Sequence, residues 1–430
     1  MVNNSYYKCN FCGCTLRFRY QVGFFDIPVS VYCPECNCHI HGLIDLGNDP
    51  QDIKEHMIGA SEIKNKEADY IVELSTEFIT NKCKRSSEGD DPQFSMFLRS
   101  HPLDKERTER RARLLQLVGE TYFYINTIEN LYNLLENERI DLIRRYFLES
   151  ENDIVKSFKE HVDYSKVVNK LDASLAIKHF VNSLLQPVMP EGAFNNIYTI
   201  MNEKVRQIIQ KRPHAFKEFL IMQLDNEDFE AYLYRLPKFI VDYLKCVGQL
   251  IPIYDNYSNF DSLDLNISGI STMSIDDLVV IYKKGYELLC DSIDLVVALN
   301  NIYSHGTYDN FGYGKIDFNK KLNGYSSKFI KYEEVTNNDS IIFDGLRNKL
   351  NNIIRNAEGH NSIRINGLKQ EIVFTNKHKG STNTYTTSFL EFGKTCVDLF
   401  VAILYIWEYY YQTLKFKITL VDGVRLNYGK

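Results

Sequence analysis

Residues 342–360 read IFDGLRNKLNNIIRNAEGH, and this stretch decides how the C-terminal part of the chain is interpreted. Apolar residues recur through it at three- and four-residue steps, which is the spacing of one helix face. The polar side chains that alternate with them form a stripe of Asp344, Asn348, Asn351, Asn352 and Arg355. The pattern predicts a helix over residues 339–358, ended by Gly359, because glycine readily adopts the left-handed conformation of a helix terminus.

Arg355 and His360 close this predicted helix. Histidine titrates near neutral pH and can transfer protons, while arginine stays charged and can bind a phosphate through two hydrogen bonds. On a continuous helix the two side chains would diverge by ~140°. They can converge if Gly359 turns the chain back, or if they meet their copies across a two-fold axis. Residues 345–379 also carry seven Lys or Arg against two Glu. An arginine and a histidine held together in such surroundings can cleave RNA without a catalytic metal.

The bulk composition limits the function classes. The chain has 430 residues, 44% of them hydrophobic, which predicts two or three packed domains. Its net charge of −6 gives no overall nucleic-acid footprint, so any RNA contact must be a local basic patch. The first residues lack a signal-peptide pattern, and no apolar run reaches the length of a membrane span. These features predict a cytoplasmic protein without membrane association.

The N-terminal cysteines have metal-ligand spacing. Cys9 and Cys12 form one C-x2-C knuckle, Cys33 and Cys36 form a second, and twenty residues separate the two. Four thiolates from two such knuckles make a closed tetrahedral zinc site, whose role is structural because no position remains for water. The residues between the knuckles include a strand pattern over Leu16–Val22, so residues 1–46 are predicted to form a zinc ribbon.

Two points about this ribbon stay open in the sequence. Neighbouring residues could replace a zinc ligand, and the candidates are Cys14, Cys38, His39 and His41. Arg17 and Arg19 share one face of the predicted strand, where they either form a solvated surface or contact nucleic acid.

Helical periodicity dominates the rest of the chain. Residues 47–270 are predicted as a mostly helical region without an assigned role, and residues 271–430 as a helical bundle. In the bundle, a helix up to Tyr303 precedes the helix of Arg355, a polar hairpin covers residues 362–386, and an apolar helix runs from Ser388 to Leu414. The predicted fold class is therefore mostly α, with a small N-terminal β zinc ribbon.

The C-terminal region resembles the HEPN superfamily, whose ribonuclease members are four- or five-helix bundles with an R-x4-6-H motif. The resemblance covers residues 275–415 by helix order and motif position. It implies that Arg355 and His360 are catalytic, with Asn356 as their polar partner and Asp344 as an additional acidic residue. It also implies metal-independent attack of the ribose 2′-hydroxyl on the adjacent phosphate. The expected cofactor is then the structural zinc of the cysteine knuckles, with none for catalysis.

The same resemblance implies partners and a biological setting. HEPN ribonucleases generally form homodimers or higher oligomers and act on RNA, including tRNA. Many belong to antiphage, abortive-infection or toxin–antitoxin systems, so a phage protein that triggers cleavage, or an antitoxin, is an expected partner. The alternative is a non-catalytic regulator, in which the ribbon binds nucleic acid or protein and the bundle only dimerises.

Overall fold

The computed structural model describes residues 1–47, 52–64, 67–87, 94–100, 105–159, 162–189, 193, 197, 201–223, 227–359, 362–378 and 381–427. Two compact units divide the chain, and each is assembled from three separate segments. The first, here the mixed unit, contains Met1–Gly119, Cys246–Lys283 and Asn351–Val397. The second, the helical unit, contains Glu120–Lys245, Lys284–Leu350 and Asp398–Lys430.

All strands in the described part of the chain belong to the mixed unit. They are β1 Val2–Cys9, β2 Thr15–Gln21, β3 Ile27–Tyr32, β4 His39–Asp45, β5 Lys54–Ile58, β6 Ala60–Glu62, β7 Tyr70–Leu74, β8 Thr80–Asn81, β9 Lys84–Arg85, β10 Ser268–Gly269, β11 Ile363–Asn366, β12 Glu371–His378 and β13 Ser381–Ser388. They form a five-stranded sheet in the order β6-β1-β2-β7-β9, two three-stranded sheets, β3-β4-β5 and β11-β12-β13, and the pair β10-β8.

The strand predicted over Leu16–Val22 is confirmed as β2. It pairs antiparallel with β1 and parallel with β7, so it lies inside the five-stranded sheet. Leu16 and Phe18 are fully buried in one hydrophobic cluster with Ile40 and Ile44 of the β3-β4-β5 sheet. Burial of these apolar side chains holds the two N-terminal sheets together.

The helices occupy both units. They are α1 Met96–Arg99, α2 Lys105–Gly119, α3 Thr121–Glu136, α4 Ile140–Glu149, α5 Asp153–Lys159, α6 Lys170–Leu185, α7 Met201–Lys211, α8 Pro213–Gln223, α9 Glu227–Leu244, α10 Ile251–Asn256, α11 Ile275–His305, α12 Phe318–Asn323, α13 Lys328–Thr336, α14 Asn352–Gly359 and α15 Phe389–Leu420. Short 3-10 turns cover Tyr164–Lys166, Gln186–Val188, Val247–Leu250, Tyr257–Ser262 and Ile341–Phe343. Within the described residues, none of these helices has the length and apolar character needed to cross a membrane.

The predicted fold class is wrong. The protein is a mixed α and β structure with several multistranded sheets, not a mostly helical chain with one small ribbon and a C-terminal bundle. The region expected to be helical, residues 47–270, contains the short strands β5 to β10. A strand of two to five residues contains too few alternating apolar and polar residues to be distinguished from the helical pattern around it, which explains the error. Residues 271–430, expected as one bundle, are divided between both units and include the β11-β12-β13 sheet.

The single helix predicted over residues 339–358 is also absent. A 3-10 turn covers Ile341–Phe343, and α14 begins only at Asn352. Asn348 has φ +56°, a left-handed conformation that interrupts a right-handed helix. Asn351 then caps the new helix, because its side-chain oxygen accepts a hydrogen bond from the Ile353 N–H at 2.9 Å. The long helices expected on either side are confirmed as α11 and α15.

Candidate functional site

The four predicted cysteine ligands lie together. The sulfur atoms of Cys9, Cys12, Cys33 and Cys36 are all within 4.8 Å of one another, an arrangement that could bind a metal ion. Cys9 Sγ lies 3.8 Å from Cys36 Sγ, and Cys12 Sγ lies 3.5 Å from Cys33 Sγ. Sulfurs placed tetrahedrally around zinc at about 2.3 Å are about 3.8 Å apart. The observed distances therefore fit a four-thiolate zinc site.

The two knuckles have matching backbone geometry. In the first, Gly13 has φ +80° and its N–H donates to the Cys9 carbonyl at 3.0 Å. In the second, Asn37 has φ +58° and its N–H donates to the Cys33 carbonyl at 2.8 Å. Glycine and asparagine are the residues that tolerate this conformation best, so each knuckle ends on a residue suited to it. The first knuckle connects β1 to β2 and the second connects β3 to β4. The site thus joins hairpins from two sheets.

The four alternative ligands lie outside this cluster. Cys14 is buried, its thiol faces the Thr15 carbonyl at 3.9 Å, and burial raises its pKa to about 12. His39 stacks between Tyr32 and His41, and its Nε2 is 3.0 Å from Ser30 Oγ. In the part of the chain that the structure describes, Cys38 and the two histidines do not join a metal-binding group. The geometry therefore favours the ligand set formed by the two C-x2-C knuckles.

Arg19 has a structural role. Its side chain is only 9% exposed, and Nη1 donates to Glu73 Oε1 at 2.8 Å. Nη2 donates to the Phe94 carbonyl at 3.0 Å, and Arg99 binds the second oxygen of Glu73. A guanidinium held in this way cannot contact nucleic acid at the surface. The sequence left two interpretations open for the face of Arg17 and Arg19, a solvated surface or a contact with nucleic acid. Arg19 forms neither of them.

Removal of Glu73 is expected to destabilise the mixed unit. Glu73→Ala would leave Arg19 buried without its carboxylate, which costs about 3–5 kcal/mol in comparable buried pairs. Thermal or urea unfolding would measure the change. Asp141→Asn is the control, because Asp141 pairs with Arg139 at the surface and its loss should change stability little. Equal effects of the two substitutions would contradict a structural role for the Arg19–Glu73 pair.

Arg355 lies on α14 in the mixed unit. The helix packs against β12, its residues Ile354 and Ala357 are buried, and Arg355 is half-buried. Arg355 Nη1 donates to Asn356 Oδ1 at 3.0 Å, so the structure brings together the predicted arginine and its polar partner. His360 lies outside the described residues. Ser362 is the first described residue after it, and its N–H donates to the Ala357 carbonyl at 2.9 Å, so Ser362 lies against the helix that carries Arg355.

Asp344 is not on that helix. It follows the 3-10 turn in the helical unit, where its carboxylate lies 3.5 Å from Lys204 Nζ and 4.0 Å from Arg347 Nη2. The expectation that Asp344 shares a helix with Arg355 is wrong, because left-handed Asn348 and the cap at Asn351 separate them.

The basic residues of segment 345–379 are likewise divided between the helical unit and the mixed unit. Arg347 donates to the carbonyls of Asn338 and Ser340, and Lys349 lies 3.8 Å from Asp398, all within the helical unit. In the mixed unit, Arg364, Lys369 and Lys377 are exposed on the β11-β12-β13 sheet, the sheet that follows Arg355 in the chain. Of the cations counted in the sequence, these three are therefore the exposed ones that the structure describes in the same unit as Arg355.

Two interactions were not predicted from the sequence. The Glu55 carboxylate accepts hydrogen bonds from the hydroxyls of Tyr7 at 2.8 Å and Tyr20 at 2.9 Å, and from Ser5, which links β5 to the five-stranded sheet. The Gly367 N–H donates to Asn37 Oδ1 at 2.9 Å, which links the β11–β12 turn to the second cysteine knuckle. The only sequence signal for the second interaction is the asparagine that directly follows Cys36.

Comparisons of the chain with protein-family models, with curated proteins and with solved structures find no match.

Proposed function

We propose that the protein is a metal-independent endoribonuclease that uses Arg355 and His360, and that the four clustered cysteines hold a structural zinc ion. The observation that carries the proposal is the local arrangement of the R-x4-H segment. Arg355 is half-buried and hydrogen-bonded to Asn356 on a short capped helix, and Ser362, three residues after Gly359, donates its N–H to the Ala357 carbonyl of this helix. A segment that starts and ends on one helix can hold a histidine close to that helix.

In the proposed reaction, the 2′-hydroxyl oxygen of a ribose attacks the adjacent phosphorus while its proton passes to a base. The bond from phosphorus to the 5′-oxygen breaks, that oxygen takes up a proton, and a 2′,3′-cyclic phosphate remains. His360 would serve in these proton transfers, and Arg355 would stabilise the negative charge on the phosphate oxygens. Asn356 would orient the Arg355 guanidinium through the observed hydrogen bond. Zinc would stabilise the fold and take no part in the chemistry.

The resemblance that supports the chemistry also supports homodimerisation, cytoplasmic action and a role in antiphage defence or as a toxin. A phage protein or an antitoxin would then control the activity. Arg19 does not support the non-catalytic alternative, because it is buried in an ion pair and does not form a nucleic-acid surface.

The test is cleavage of total RNA and of purified tRNA in EDTA by the full chain. We expect fragments with 2′,3′-cyclic phosphate ends, identified by their resistance to phosphatase until acid or a cyclic phosphodiesterase opens the ring. Zinc content is measured after the reaction, so that retention of the structural ion is known. A wild-type protein that retains zinc yet cuts neither substrate, with and without extract from phage-infected cells, would contradict the proposal.

A further inference from the structure

We infer that Asn37 of the second cysteine knuckle is a positioning residue for β11 and, through β11, for the helix that carries Arg355, an inference that rests on the proposed function. The connection runs through β11, the four-residue strand between the R-x4-H segment and the β11–β12 turn. Four residues of strand span about 13 Å. The metal cluster and the R-x4-H segment are therefore linked by one short element within the mixed unit.

The first step is the contact between the turn and the knuckle. Asn37 Oδ1 accepts the Gly367 N–H at 2.9 Å. Gly367 is buried against Tyr32, the residue before Cys33, so closely that a Cβ atom would lie 2.5 Å from Tyr32 Cβ and 2.7 Å from its carbonyl oxygen. Only glycine permits this approach. The turn is thus seated directly on the residues that flank the second knuckle.

The second step is the dependence of Asn37 on the metal cluster. Its left-handed backbone is part of the knuckle, because its own N–H donates to the Cys33 carbonyl and the Cys33 N–H donates to the Cys38 carbonyl at 2.9 Å. A metal bound by Cys33 and Cys36 would fix this turn and hence the direction of the Asn37 amide. The equivalent position in the first knuckle is Gly13, which has no side chain and makes no such contact.

The third step is the other end of β11. The Ser362 N–H donates to the Ala357 carbonyl at 2.9 Å, and the Ser362 carbonyl accepts the Thr375 N–H at 3.0 Å. Between these ends, β11 pairs with β12 in the register Ile363↔Phe374 to Asn366↔Glu371. The strand is therefore anchored to the Arg355 helix at one end and to the cysteine knuckle at the other. A shift of the turn is transmitted along β11 to Ser362 and to the helix that carries Arg355.

Other contacts support the same placement of the turn. Gln370 Oε1 accepts the Ile270 N–H at 2.9 Å, and the Gln370 carbonyl accepts the Phe389 N–H at 2.9 Å. Leu368 packs against the hydrophobic cluster that contains Cys9 and Cys33. These contacts keep the turn near the knuckle without Asn37, so loss of the Asn37 hydrogen bond should loosen β11 without unfolding the unit.

The experiment uses three substitutions at Asn37 in the full-length protein. Asn37→Gly keeps the left-handed backbone and gives the second knuckle the residue found in the first, but it removes the acceptor. Asn37→Asp keeps both the left-handed backbone and the acceptor oxygen. Asn37→Ala removes the acceptor and strains the backbone. The measurements are zinc content, amide hydrogen exchange of peptides covering residues 356–367, and kcat and KM for RNA cleavage. Peptides from residues 284–302 in the helical unit serve as the internal control.

We expect Asn37→Gly to retain one zinc ion per chain and to exchange residues 362–367 on the order of tenfold faster, the effect of one lost hydrogen bond. Its kcat should fall about tenfold with KM nearly unchanged, and Asn37→Asp should restore both. Unchanged exchange in a zinc-loaded Asn37→Gly protein would overturn the inference, and so would faster exchange with unchanged kcat. If the wild type cuts no RNA, the proposed function fails. Exchange then decides alone whether the knuckle positions this segment.

Discussion

Arg355→Ala is expected to lower EDTA-resistant RNA cleavage about 10²- to 10³-fold, the usual cost of removing one group that stabilises transition-state charge. The half-buried guanidinium is oriented by Asn356, so its loss removes a preorganised donor pair and not a mobile surface charge. Arg355→Lys should recover only part of the rate, because an ammonium group keeps the charge but lacks the planar fork that binds two phosphate oxygens. Rates of tRNA cleavage under single-turnover conditions would measure both effects.

His360→Ala is expected to reduce the same rate about 10²- to 10⁴-fold, as for other residues that transfer protons in the transition state. The double variant should be little slower than the worse single variant, because residues that act together in one step are not additive. Two controls have matched chemistry. Arg364→Ala removes an exposed arginine from the strand next to the segment, and His56→Ala removes an exposed histidine from β5. Both should retain cleavage within about threefold of wild type, by the small effects typical of exposed positions.

The control variants distinguish two explanations for a loss of RNA cleavage, a specific role of Arg355 and general positive charge near the sheet. If Arg364→Ala impairs cleavage as strongly as Arg355→Ala, general positive charge near the sheet binds the RNA, and a specific role for Arg355 is contradicted. Loss of activity in either motif variant counts only if its unfolding midpoint, zinc content and oligomeric state match those of the wild type. Full activity of Arg355→Ala would refute the proposed chemistry directly.

The sequence predicted the parts of the site that depend on local spacing. Two C-x2-C knuckles place four sulfurs around one point because each knuckle is a closed turn, and the structure brings these sulfurs together. The long helices α11 and α15 follow from sustained periodicity over about thirty residues. The features that local spacing could not predict are contacts between residues far apart in the sequence. β2 pairs with β7 more than fifty residues away, and Asn37 binds Gly367 at a separation of 330 residues.

The failed helix over residues 339–358 shows a different limit. Its apolar spacing is helical, but spacing carries no information about a single backbone angle, and Asn348 adopts φ +56°. Asparagine is one of the few residues that accept this conformation, but asparagines also lie within the right-handed helices α3 and α11, so its identity alone does not separate the two cases. The break removes Asp344 from the helix of Arg355. The arginine and its neighbour Asn356 stay together because they are adjacent in sequence.

Cys33→Ser is expected to abolish stoichiometric zinc binding and to remove the cooperative unfolding transition of the mixed unit. Cys33 is completely buried, and it belongs to the same hydrophobic cluster as Leu16 and Phe18. Structural four-cysteine zinc sites contribute on the order of 10 kcal/mol of binding free energy, which exceeds the whole stability of many domains. The metal site also joins hairpins of two different sheets, so its loss would leave the sheets held by their apolar contacts and by the hydrogen bonds of Glu55. Elemental analysis and calorimetry would measure both effects.

Cys38→Ser is the matched control, because Cys38 is a half-buried cysteine only five residues further along the same hairpin and lies outside the four-sulfur group. It should bind one zinc ion per chain and unfold at the wild-type midpoint. Cys83→Ser, at a half-buried cysteine outside both knuckles, should behave in the same way. Loss of zinc from Cys38→Ser would mean that Cys38 replaces one of the assigned ligands. A Cys33→Ser protein that unfolds like the wild type would show that the sheets pack without the metal, and the positioning role inferred for Asn37 would then have to act without zinc.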